Sequence, residues 1–170
     1  DTPPANIQPW RDAPVPVDYA IRGVHSVQLW VLESKGTIDL LQKLGYDILS
    51  TAGNITRLIP KNGFGQIEVR ATGQFLAAKG GVGTIHHIAF RVPDDATQNE
   101  MRKLLSSESI NVTTVQDRQY FRSIYFREPG GVLFEIATDS PGFVIDETTA
   151  EVQTGFVTST PATFTDKQST

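Results

Sequence analysis

At 170 residues, with 39% hydrophobic and 20% charged side chains, the chain can form one domain with a sizeable core. A net charge of -4 and a pI near 5.3, with no Lys/Arg cluster, argue against nucleic acid as a partner. No apolar run reaches the roughly 20 residues of a membrane span, and the absence of cysteine removes disulfides, thiolate nucleophiles and Cys metal sites.

The opening DTPPANIQPW is polar and proline-rich and has no signal-peptide pattern, so a cytoplasmic location is the expectation. The only methionine is Met101, so Asp1 is not a translational start, and the natural protein is expected to extend further or to have been processed. Residues 1–22, with Pro3, Pro4, Pro9, Pro14 and Pro16, read as a linker or N-terminal strap.

From Gly23 one pattern occurs twice. Gly23 to Val31, GVHSVQLWV, reads as a strand. Thr37 to Leu44 has apolar residues at helical spacing and is stopped by Gly45. Short strands are expected at Tyr46–Ser50, Thr56–Pro60 and Gln66–Ala71. After the glycine-rich loop Lys79–Gly83, Ile85 to Val92, IHHIAFRV, opens the second copy. Pro93, Asp94 and Asp95 form a turn and helix start, and Thr97 to Leu105 carries the helix. Strands are then expected at Asn111–Val115, Phe121–Arg127 and Val132–Ala137, the last two separated by the turn signal Glu128–Gly131, EPGG.

The fold class is therefore α+β, with two βαβββ modules on mixed, curved sheets. The paired modules span 23–138, about 23–78 and 83–138, and a Thr-rich tail covers 139–170. Laid on each other, the copies set His25 against His87 and Glu68 against Glu135, with offsets that differ only by loop length.

Strand alternation puts His87, Ala89 and Arg91 on one face and His86, Ile88 and Phe90 on the other. In the last strand Glu135 interrupts an apolar run, sharing a face with Leu133 and Ala137, while Phe134 and Ile136 point oppositely. A carboxylate there needs a cation, a hydrogen-bond partner or solvent. With a neutral His on a neighbouring strand it makes half of an N/O metal site. The plainer alternatives are a hydrogen-bonded core histidine and a solvated strand glutamate.

Several stretches resemble a known family: AIRGVHS, GTIHHIAFRVPDD, DRQYFRSIYFREPGGVLFEIATDSPGF, and QPW before PVP. They are similar to the vicinal oxygen chelate superfamily of glyoxalase I, extradiol dioxygenases and antibiotic-resistance proteins. Within it the chain resembles the C-terminal half, modules three and four, of hydroquinone-type ring-cleaving dioxygenases. That resemblance implies the glyoxalase/dioxygenase fold and a non-haem Fe(II) cofactor, with Mn(II) not distinguished. It implies His87 and Glu135 as metal ligands and a third ligand from an absent N-terminal half.

The same resemblance implies site roles for His86, Tyr125 and Arg118: a hydrogen bond to substrate, proton donation and stabilisation of an anion. His25 is the third ligand if the pattern of ordinary extradiol enzymes applies, and makes an internal hydrogen bond if the hydroquinone pattern applies. The expected partners are an aromatic substrate, O2, and either the missing half or a second copy of the chain, with neither nucleic acid nor membrane. Two other readings stay open. One is a glyoxalase-like lyase or isomerase using His25, Glu68, His87 and Glu135. The other is a metal-free small-molecule binding module.

Overall fold

The computed structural model describes residues 9, 14–21, 23–61, 65–73 and 81–146. Most of the expected strap, the expected tail from 147 onward, and Lys79 and Gly80 of the glycine-rich loop lie outside the described residues.

Two βαβββ units follow one another. The first consists of β1 (Ser26–Val31), α1 (Lys35–Lys43), β2 (Tyr46–Ala52), β3 (Ile55–Pro60) and β4 (Gln66–Ala71). The second consists of β5 (Ile88–Val92), α2 (Asp95–Ser107), β6 (Gln116–Asp117), β7 (Phe121–Arg127) and β8 (Leu133–Pro141). Each unit makes a four-stranded sheet, ordered β1-β4-β3-β2 and β5-β8-β7-β6. The outer pairs β1–β4 and β5–β8 are parallel and the remaining pairs antiparallel, so both sheets are mixed. The duplication read from the sequence is thus the architecture. No helix among the described residues is long and apolar enough to cross a membrane.

Local chemistry sets the start of α2. Asp94 caps α2, its carboxylate accepting from the Thr97 N–H and hydroxyl, both at 2.8 Å. Those bonds hold the Asp94 carboxyl below the usual range. One apolar cluster joins the units, taking Leu29, Val31, Leu58, Ile67 and Val69 from the first sheet. Ile124, Phe126, Phe134 and Ile136 come from the second, and Leu40, Leu41 and Leu105 from the helices. Alternation along β8 explains the division, because Phe134 and Ile136 enter this core and Glu135 between them cannot.

A buried glutamine ties α2 to its sheet. The Gln98 amide donates to Arg122 O at 2.7 Å and to Ile136 O at 2.8 Å. Gln98→Leu should cost about 2–3 kcal/mol, since one buried and one half-buried carbonyl lose their donor. The urea midpoint should fall accordingly, and an unchanged midpoint would rule out this tie as a stabilising one.

The segment Asn111–Val115 is not the strand that its β-branched residues predict. Only the bridge Val112↔Phe126 forms, and the paired strand is Gln116–Asp117. Thr113 N still donates to Tyr125 O at 3.0 Å, but side chains take the adjoining positions: Thr113 Oγ1 accepts from Tyr125 N at 3.0 Å and Arg102 Nε donates to Thr113 O at 3.2 Å. The first strand of each unit also starts later than expected, at Ser26 and Ile88 rather than Gly23 and Ile85. His25, His86 and His87 therefore lie on the approach to their strands.

Candidate metal centre

Glu135 occupies β8, an inner strand of the second sheet, opposite Tyr125 of β7 on one side and Ala89 of β5 on the other. It is 3% exposed although it faces away from the apolar core. Three side chains cover it. His87, two residues before Ala89, brings Nε2 to 2.8 Å from Glu135 Oε2. Tyr125 Oη donates to Glu135 Oε1 at 2.9 Å, and the buried Ser123 hydroxyl donates to the same oxygen. A carboxylate so far from water requires this many partners.

Two further residues complete the cluster. His86 Nδ1 lies 2.9 Å from His87 Nδ1, so one ring donates and the other accepts. The His87 and Tyr125 rings meet edge to face with centroids 6.0 Å apart. The Arg118 guanidinium stands 5.6 Å from the centre of the Tyr125 ring and donates to Gln116 Oε1 at 2.7 Å. The structure thus gathers His86, His87, Arg118, Tyr125 and Glu135, which sequence reasoning singled out separately.

Ser123 was missed. Strand alternation could have found it, since Ser123 and Tyr125 share a face of β7 and Tyr125 is in register with Glu135.

The first unit is built differently at the matching place. Glu68 is opposite Gln28, whereas Glu135 is opposite Ala89. Counting back two residues on each strand sets Ser26, not His25, against His87, and His25 against His86. The sequence alignment of His25 with His87 is off by one position, because it ignored the register. Glu68 also has a cation already: Arg57 Nε donates to its Oε1 and Gln28 Nε2 to its Oε2, at 2.6 and 2.7 Å. These bonds, Arg57 foremost, hold the Glu68 carboxyl below the usual range.

The backbone carbonyl of His25 accepts from Gln66 N at 3.1 Å, within the first unit. Among the described residues no three His, Asp or Glu side chains gather to hold a metal. The four-residue set of His25, Glu68, His87 and Glu135 is therefore not assembled.

No family model matches the chain. It is 38% identical over 140 residues to "Putative ring-cleaving dioxygenase MhqO" of Bacillus subtilis, covering 82% of this chain and 45% of that protein. It is 33% identical over 159 residues to the chlorohydroquinone/hydroquinone 1,2-dioxygenase of Sphingobium indicum, covering 82% and 45%. A solved structure described as a "putative dioxygenase" from Bacillus subtilis superposes with a TM-score of 0.76 at 38% identity, over 82% of this chain and 46% of that one. A glyoxylase/bleomycin resistance protein/dioxygenase domain from Frankia matches in fold alone, with a TM-score of 0.61 at 14% identity, over 70% and 98%.

The chain spans about half the length of the curated relatives it matches. Duplicated βαβββ units, the glyoxalase-type neighbours and these relatives together place the chain in the vicinal oxygen chelate superfamily.

Proposed function

We propose that the chain is the C-terminal half of a non-haem, extradiol-type ring-cleaving dioxygenase that uses Fe(II) and O2 on hydroquinone-like aromatics. Mn(II) suits the same donors. The observation that carries this is the approach of His87 Nε2 to Glu135 Oε2 at 2.8 Å, with Tyr125, His86 and Arg118 around the pair. An imidazole nitrogen and a carboxylate oxygen fit a divalent first-row metal, as two members of a 2-His-1-carboxylate set. The third ligand is assigned to the other half of the protein or, in a dimer, to a second copy. The substrate class is supported by the name of the Sphingobium relative.

When bound, the metal supplies Lewis acidity to a substrate oxygen and a path for electrons from the ring to O2. The chain's residues prepare the rest. With a cation at Nε2, the His87 ring would carry its proton on Nδ1, and His86 Nδ1, 2.9 Å away, would accept it and hold that tautomer. The Tyr125 hydroxyl, tethered to Glu135 Oε1, holds a proton beside that cation and can pass it to a substrate oxygen on the same face. The Arg118 guanidinium opposes negative charge that develops near the Tyr125 ring.

The full-length, iron-loaded protein is expected to consume O2 with hydroquinone or chlorohydroquinone, and this half alone to be nearly inactive. Absence of O2 uptake by the full-length protein with a panel of hydroquinones would overturn the proposal.

A further inference from the structure

The loop that carries Arg118 is fastened to a segment the reaction does not use. After β8 the chain turns at Gly142 and forms a 3-10 turn, Phe143–Ile145, followed by Asp146. This segment lies on the Arg118 loop. The Tyr120 and Phe143 rings stack with centroids 4.8 Å apart. Asp146 Oδ2 accepts from Gln119 Nε2 at 3.1 Å and from Tyr120 Oη at 3.2 Å. Gly142 N donates to Tyr120 O at 2.8 Å.

The loop itself is tightly wound. Gln119 has φ 68, in the left-handed region that disfavours a residue with a side chain. Its N–H donates to Asp117 Oδ1 at 2.8 Å, Arg118 N donates to Phe121 O at 2.9 Å, and Tyr120 N donates to Arg118 O at 2.8 Å. Such a conformation persists only where its surroundings over-determine it. Here they do so on both sides of Arg118: Gln116 takes its guanidinium, and the segment after β8 takes the next two residues.

We propose that Asp146, aided by the Phe143 ring, is a positioning residue for Arg118, clamping Gln119 and Tyr120 so that the guanidinium is held over Tyr125. The inference rests on the catalytic role given to Arg118 above. A guanidinium that must be in place before charge develops acts on kcat rather than on substrate affinity. A displacement of about 1 Å can cost up to about a hundredfold in rate.

In the full-length, iron-loaded protein, Asp146→Ala should lower kcat about tenfold or more with little change in KM. Asp146→Asn, which keeps a side-chain oxygen acceptor, should restore most of the rate. On an Arg118→Ala background, Asp146→Ala should cause no further loss, because the residue it positions is gone. Equal losses on both backgrounds would overturn the proposal.

Hydrogen–deuterium exchange supplies a readout that needs no turnover. Amides of residues 117–121 should exchange faster in Asp146→Ala, with the exchange of β8 unchanged. If the protein shows no dioxygenase activity, faster exchange in that loop still supports the clamp, and unchanged exchange overturns it.

Discussion

Glu135→Gln in the full-length protein is expected to abolish stoichiometric metal binding and to lower ring-cleavage activity by more than a thousandfold. The side chain keeps its size, so Ser123 and Tyr125 still have an oxygen to donate to, but the anionic charge facing His87 Nε2 is gone. Loss of a residue that merely supports a ligand typically costs about 10–100-fold in affinity or activity, and loss of a ligand costs more. Glu68→Ala should leave metal content unchanged, because Glu68 is held by Arg57 and Gln28 in the other sheet. Metal analysis of the purified variants separates three readings. Loss with Glu135→Gln alone fits the proposed centre. Loss with Glu68→Ala would restore the four-ligand, glyoxalase-like set. No metal in the unsubstituted protein, after purification and reconstitution with iron, would leave the small-molecule binding module.

Glu128→Ala is expected to destabilise the fold by about 3–5 kcal/mol, the largest stability loss foreseen for one polar residue. Glu128 is 2% exposed at the EPGG turn. Its Oε2 accepts from Thr37 Oγ1 at 2.6 Å and from Gly130 N at 2.8 Å, and its Oε1 from Val132 N at 2.8 Å. Thr37 lies in α1, so this carboxylate stitches one unit to the other. Alanine would leave the buried Thr37 hydroxyl and two half-buried backbone N–H groups without their acceptor. The contact also explains Gly130: a Cβ there would stand 2.4 Å from Val31 Cγ1. Denaturant unfolding followed by circular dichroism checks the loss. A shift below about 1 kcal/mol would mean that water replaces the carboxylate.

Much of the architecture was legible from local pattern. The change from alternating to helical spacing, the turn and helix start at Pro93–Asp95 and Gly45 as a stop marked both βαβββ units. Glu135 was legible as an anomaly, since a carboxylate flanked by Phe134 and Ile136 demands a reason. The partners were harder. Ser123 required pairing β7 with β8, and Glu128 meets Thr37 across 91 residues of chain. The fold back of Phe143 and Asp146 onto Tyr120 depends on tertiary packing that no period encodes. Asn111–Val115 failed for the opposite reason: its strand propensity is real, but Thr113 and Arg102 satisfy the neighbouring backbone by another route. The one-residue slip at His25 shows how alignment by residue type misleads where strand pairing is the true coordinate.

The Arg57–Glu68 pair has a consequence for how the duplicated units could have diverged. Of two copies with one backbone plan, one holds its acidic residue against a tethered guanidinium, and the other, under the proposed function, leaves it to a metal ion. The first is self-sufficient, with a charge that no chelator can strip. The second, on that proposal, would be loaded from solution and could be emptied. One scaffold would then hold a permanent and an exchangeable counter-charge side by side. Moving a single basic side chain, rather than any strand, is the change by which such a repeat would gain or surrender its dependence on a dissolved cation.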